Sequence, residues 1–180
     1  MSDKETLAAL SDISYGLYVV SSRNKAGRLN GQLANTVFQL TAQPPKLAVS
    51  INKGNLTHEY ISESGLYSVS VLAQVAPMTF IGLFGFKSGR NTDKFAQAAH
   101  EIFPSGSPFA AENVLSALEL KVCGTFDMGS HTLFIGDVLS GKILCDGVPL
   151  TYAYYRQVMK GKTPRAATTY RPPGAENKKL

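Results

Sequence analysis

The stretch ANTVFQLTAQPPKLAVSINKGNLTHEYI, residues 34–61, holds an apolar run, a Pro-Pro turn, a second apolar run and a polar segment that opens a helix. In the second run Leu47, Val49 and Ile51 alternate with Ala48 and Ser50, the two-residue period of a strand with one buried face. Two such runs across Pro44-Pro45 predict an antiparallel hairpin. Asn55 then suits a helix N-cap and Gly65 a helix stop, so LTHEYISES reads as a short helix.

The same reasoning extends outward. YGLYVVSS (residues 15–22) reads as a strand, residues 23–31 as a turn, and ANTVFQLTA as the expected hairpin partner. LYSVSVLA (66–73) alternates Tyr67, Val69 and Val71 with Ser68 and Ser70. Residues 117–126 and 131–143 read as long strands joined by DMGSH. Short helices are expected at 3–11, after Pro77, and over TDKFAQAAH (92–100), with 101–113 as loop. Runs of antiparallel strands with a few short helices predict a mainly β fold, closed into a barrel so that no sheet edge is left open. Residues 1–165 are expected as one domain and 166–180 as a C-terminal tail.

Bulk properties narrow the function. At 180 residues, 44% hydrophobic and 17% charged, the chain has the composition of an ordinary globular domain. The net charge is +5, but Lys160, Lys162, Arg165, Arg171, Lys178 and Lys179 all fall in residues 160–180, and no nucleic-acid motif accompanies them. A phosphate-bearing small molecule would use the remaining cations equally well. The N-terminus is not a secretory signal and no apolar run is long enough to span a membrane, which points to a cytoplasmic protein. Cys123 and Cys145 have no CxxC spacing and are expected as buried thiols in a reducing compartment. There is no GxSxG, HExxH or GxxxxGK[ST], and His58, His100 and His131 lie on separate elements without metal-ligand spacing.

NKGNLTHE remains. A helix N-terminus presents free amides and a positive partial charge, so Gly54, Lys53, Asn55 and Thr57 could cradle a phosphate, or could simply cap and solvate the helix. Asn35 and Thr36, at one strand end, and Ser50 and Asn52, at the next, would flank that cradle across the hairpin. A second basic cluster, FGFKSGRNTDKF (84–95), brings Lys87, Ser88, Arg90 and Lys94 around two glycines.

With these segments, together with HTLFIGDV and PLTYAYYRQVMKGKTP, the chain resembles the flavin reductase-like, FMN-binding split-barrel family, in the branch of flavoredoxin and the flavin domain of high-molecular-weight rubredoxin. The likeness runs through about Tyr15 to Pro164. It implies a six-stranded antiparallel split barrel, a homodimer, and FMN in a groove near the dimer interface. By position it implies Asn35, Thr36 and Val37 against the isoalloxazine, and Ser50, Ile51 and Asn52 along its edge and the ribityl chain. Lys53, Asn55 and Thr57 would take the phosphate region, with Ser88, Arg90 and Lys94 from the second loop, and His58 would be a further cofactor-binding residue. His131 would stand near the flavin face, where a nicotinamide stacks or, equally, serve as a structural histidine. The implied activity is NAD(P)H-dependent FMN reduction, with NADH or NADPH as donor; the alternative is a flavoredoxin-like carrier that exchanges electrons with a partner redox protein. A barrel for another ligand such as haem is a third reading. Two departures stand out: residues 1–180 lack the paired CxxC motifs of the rubredoxin-bearing relatives, and RAATTY replaces their KAPTY.

Overall fold

The computed structural model describes residues 3–170. The elements are α1 (Asp3–Ala9), β1 (Tyr18–Arg23), β2 (Leu29–Ala34), β3 (Val37–Ala42), β4 (Pro45–Asn52), α2 (Leu56–Ser64), β5 (Leu66–Leu72), α3 (Met78–Phe86), β6 (His100–Ile102), β7 (Pro108–Ala110), β8 (Val114–Asp127), β9 (His131–Ile143) and α4 (Tyr152–Gln157). Seven strands form one antiparallel sheet in the order β2-β1-β5-β8-β9-β4-β3, and β6 pairs only with β7. The fold is mainly β with a few short helices, as the strand pattern predicts.

The sheet differs from the expected six-stranded closed barrel. Its two edges, β2 and β3, are consecutive in the chain, joined by Asn35 and Thr36, and no ladder connects them. The strand count is seven because the chain bends at that pair and leaves one sheet edge for the other. The expected partner of β1 is corrected for the same reason. β1 pairs with β2, residues 29–34, and not with residues 37–42. The turn is tighter than the Asn and Gly content suggests: Asn24 Oδ1 accepts from the Arg28 amide at 2.7 Å, and Gly27 takes φ +82°. β3 pairs with β4 as the Pro-Pro turn predicts.

Two hydrophobic clusters share β1, whose adjacent residues Val19 and Val20 are both fully buried. Val20 joins Val49, Ile51, Tyr67, Leu120 and Phe134 between the strands of the sheet. Val19 joins Leu72, Phe80, Ile81, Phe84 and Tyr155, where α3 and α4 cover the outside. With both faces packed, β1 is fixed against the two layers that flank the cleft described below.

Residues 92–100 are not helical. The segment instead turns through Asp93 Oδ1, which accepts from the Ala96 amide at 3.1 Å, and Lys94 Nζ is drawn inward to donate to the Gly31 and Phe84 carbonyls. Residues 101–113, expected as loop, contain the β6–β7 hairpin, whose β7 is entirely buried and anchored by Ser68 Oγ donating to the Pro108 carbonyl. Cys123 and Cys145 are both free and exposed, contrary to the expected burial: Cys123 sits at the register shift between Val122 and Gly124, and Cys145 lies beyond the end of β9. Residues 171–180 of the expected tail lie outside the described residues.

Candidate functional site

A cleft of about 400 Å³ opens between β2, the start of α2, the end of α3 and residues 162–169. Leu17, Leu33, Phe84, Tyr152 and Tyr155 provide apolar and aromatic surface. Of the residues singled out in the sequence, Asn35, Ser50, Gly54, Asn55, Thr57, Ser88 and Lys94 meet here, from four separate stretches of chain. Lys87 of the same basic cluster joins them.

One end of the cleft is an anion pole. The first-turn amides of Leu56 and Thr57 make no hydrogen bond among the described residues, as the opening of a helix dictates. Thr57 is buried, and its Oγ1 accepts from Asn30 Nδ2 at 2.7 Å, which leaves its own hydroxyl proton to donate. Gly89 makes this possible: a Cβ there would stand 2.0 Å from Asn30 Oδ1, so only glycine lets the loop after α3 close over Asn30. Lys94, 4% exposed, donates to the Gly31 carbonyl at 2.7 Å and to the Phe84 carbonyl at 3.4 Å, which holds its ammonium at the cleft. Burial pushes its pKa down to about 8.

Across the cleft, Gln32 Oε1 is buried and has no hydrogen-bond partner among the described residues. A buried acceptor left alone is costly, and a ligand N–H would satisfy it. Lys87, Lys94, Lys162 and Arg165 line the cleft, and no carboxylate does among the described residues.

The other residues drawn from the sequence lie outside the lining. Lys53 reaches Asp127 at 2.7 Å, and that contact, with the Gly129 amide, holds the Asp127 carboxyl below its usual pKa. Arg90 pairs with Glu59. Thr36 accepts from the Ser50 amide through its carbonyl at 3.1 Å, and Val37 packs on the inner cluster that contains the fully buried Ile51. Asn52 Oδ1 accepts from the Gly54 amide at 2.9 Å. His58 Nε2 lies 2.8 Å from Thr132 Oγ1 against the Phe134 ring, and its pKa is lowered by burial and then by Lys53. His131 pairs in register with Asn52, with Nδ1 2.8 Å from Ser130 Oγ and a buried, unpartnered Nε2. No group of His, Cys, Asp and Glu among the described residues could hold a metal.

Sequence reasoning missed Asn30, Gln32 and the wall at 162–169. Asn30 falls in a stretch that reads as a turn, and 162–169 carries the Lys, Thr and Pro that signal loose chain. The available hint was Tyr152 and Tyr155 at i, i+3 just upstream, able to bind that segment back.

The fold agrees with what the chain is similar to. The family model for the flavin reductase like domain matches residues 10–162, and the chain belongs to that family. It is 49% identical over 162 residues to high molecular weight rubredoxin of Moorella thermoacetica, covering 90% of this chain and 70% of that protein. It is 46% identical over 162 residues to the ferric-chelate reductase (NAD(P)H) of Archaeoglobus fulgidus, covering 90% and 95%. Among solved structures it is similar to an FMN-binding protein from Thermus thermophilus with bound p-hydroxybenzaldehyde, at 28% identity and TM-score 0.70, covering 78% of this chain and 82% of that one. No helix among the described residues is long and apolar enough to cross a membrane.

Proposed function

We propose that this chain binds FMN in the cleft and acts as an NAD(P)H-dependent flavin oxidoreductase. The observation that carries this reading is a cleft lined by cations with no carboxylate, holding free helix amides at one end and an orphaned amide oxygen on its wall. The residues fit the group. Leu56 and Thr57 amides, the Thr57 hydroxyl and Lys94 meet a phosphate, Gln32 Oε1 meets a ring N–H, and Leu33, Phe84 and Tyr155 offer apolar surface to a planar heterocycle. Bound FMN supplies hydride acceptance and electron release. The chain's own part is to hold, orient and dry the cofactor, which is why no triad or carboxylate pair is needed. The ferric-chelate reductase and the flavin reductases among the relatives support the nicotinamide donor.

In this reading β2 and β3 count as one strand broken at Asn35 and Thr36, so that the sheet is a six-stranded split barrel open along the break. The outer face of the sheet supports a homodimer. Phe38 and Ile135 lie on one cross-strand row, Ser50, Leu133 and Phe126 on the next, and Phe38 and Phe126 are exposed. Ser50 also lines the cleft, so a second copy seated on this apolar face would stand beside the cofactor. Two free, exposed thiols suit a reducing, cytoplasmic compartment. The likeness to high molecular weight rubredoxin favours a second reading, an electron carrier serving a partner redox protein.

The test is the visible spectrum of the purified chain, then anaerobic NADH or NADPH. A yellow protein that bleaches rapidly supports the reductase; a yellow protein that bleaches only with a redox partner supports the carrier. A colourless chain that takes up no added FMN overturns both.

A further inference from the structure

Residues 162–169 form a fixed wall across the cleft. Tyr155 Oη donates to the Lys162 carbonyl at 2.8 Å, Tyr152 Oη and Thr163 Oγ1 share a hydrogen bond at 2.5 Å, and Arg156 Nη1 donates to the Gly161 carbonyl at 2.9 Å. At the far end Asn35 Nδ2 donates to Thr169 Oγ1 at 2.8 Å. The wall is thus tied down at both ends, and between the ties it presents Lys162 and Arg165 to the cleft. Neither forms an ion pair among the described residues, whereas Lys53, Arg90, Lys46 and Lys142 all do.

Resting on the flavin reading above, we infer that Lys162 and Arg165 form a second anion pole that binds the phosphates of the nicotinamide dinucleotide donor. The helix amides, Thr57 and Lys94 already give a single phosphate a charged partner and several donors. Two more unneutralised cations, on a different stretch of chain, exceed what one phosphomonoester needs. An arginine fork and a lysine together match a diphosphate or a second phosphomonoester. A dinucleotide donor carries the first, and its 2′-phosphorylated form carries both. The wall therefore selects the donor, and the pole at α2 holds the cofactor.

The double variant Lys162→Gln/Arg165→Gln tests this on the full chain, as purified and with added FMN. Its two side chains are exposed, so folding is checked simply by an unchanged melting temperature. The expected result is a KM for NADPH raised about tenfold or more, with kcat and the FMN dissociation constant each within about twofold of wild type. An equal rise for NADH assigns the pole to the diphosphate, a rise for NADPH alone to the 2′-phosphate, and Arg165→Lys restores part of either. An unchanged KM for both donors overturns the inference, as does FMN affinity that falls by the same factor as KM. Direct titration with NADP+ keeps this inference separate from the flavin reading. A chain that takes no FMN yet loses NADP+ affinity in the double variant sinks the flavin reading alone. A yellow protein whose NADP+ affinity is unmoved by the substitutions sinks this one alone.

Discussion

The cations around the start of α2 fall into two groups. Lys53 and Arg90 belong to the motifs that stand out in the sequence, yet each turns to a carboxylate, Asp127 and Glu59, and is spent there at the surface. Lys94, Lys162 and Arg165 face the cleft, where no carboxylate competes among the described residues. Lys94 is held by two carbonyls in a dry site, so its charge is felt strongly by any anion that enters. What a cation can do for a ligand is decided by what else lies within reach of it. Position along the chain does not report that.

The contrast can be broken or sharpened by substitution, beginning with the largest effect. Ile51, implied by resemblance to line the flavin edge, is fully buried in the inner cluster. Ile51→Ala is expected to cost about 2–5 kcal/mol of stability in denaturant titration, with FMN affinity of the folded fraction little changed. Gly89→Ala comes next: its Cβ would force Asn30 off Thr57, at an expected cost of about 1–3 kcal/mol and with weaker FMN binding, read by melting and fluorescence titration.

The pH dependence sharpens the same comparison. In the folded, flavin-free chain Lys94 loses its proton near pH 8, while in the unfolded chain it keeps it to about 10.4. Between those values the unfolded state binds more protons, so stability rises with pH, by up to about 3 kcal/mol against a Lys94→Met control. FMN affinity moves the other way, falling above pH 8 as the pole loses its charge, and the control removes both slopes. The smallest effects are expected outside the cleft: Arg90→Met and His131→Ala should leave FMN affinity within about twofold of wild type.

Much of the fold is legible in local pattern. The alternation Leu47, Val49, Ile51 and the Pro-Pro turn predict the β3–β4 hairpin, and the Asn55 to Gly65 span predicts α2 at its observed ends. The pairing of β1 is not legible, because it depends on a five-residue turn closed by the Asn24 side chain and on the bend at Asn35 and Thr36. The 92–100 helix fails because tertiary hydrogen bonds from Lys94 to the Gly31 and Phe84 carbonyls, with the turn at Asp93, override a capping signal. The site divides in the same way. Asn55, Thr57, Ser88 and Lys94 follow from the chemistry of helix openings and basic loops. Asn30, Gln32 and the 162–169 wall come from distant elements, and only packing brings them together.

That Lys94, at the α2 pole of the cleft, holds the flavin phosphate while the surface-paired Lys53 does not is decided by titrating FMN into Lys94→Met and Lys53→Met side by side. Lys94→Met should bind FMN about ten- to a hundredfold more weakly than wild type, the worth of one charged hydrogen bond, while Lys53→Met stays within about twofold. The reverse order, or equal losses in both, would contradict the account.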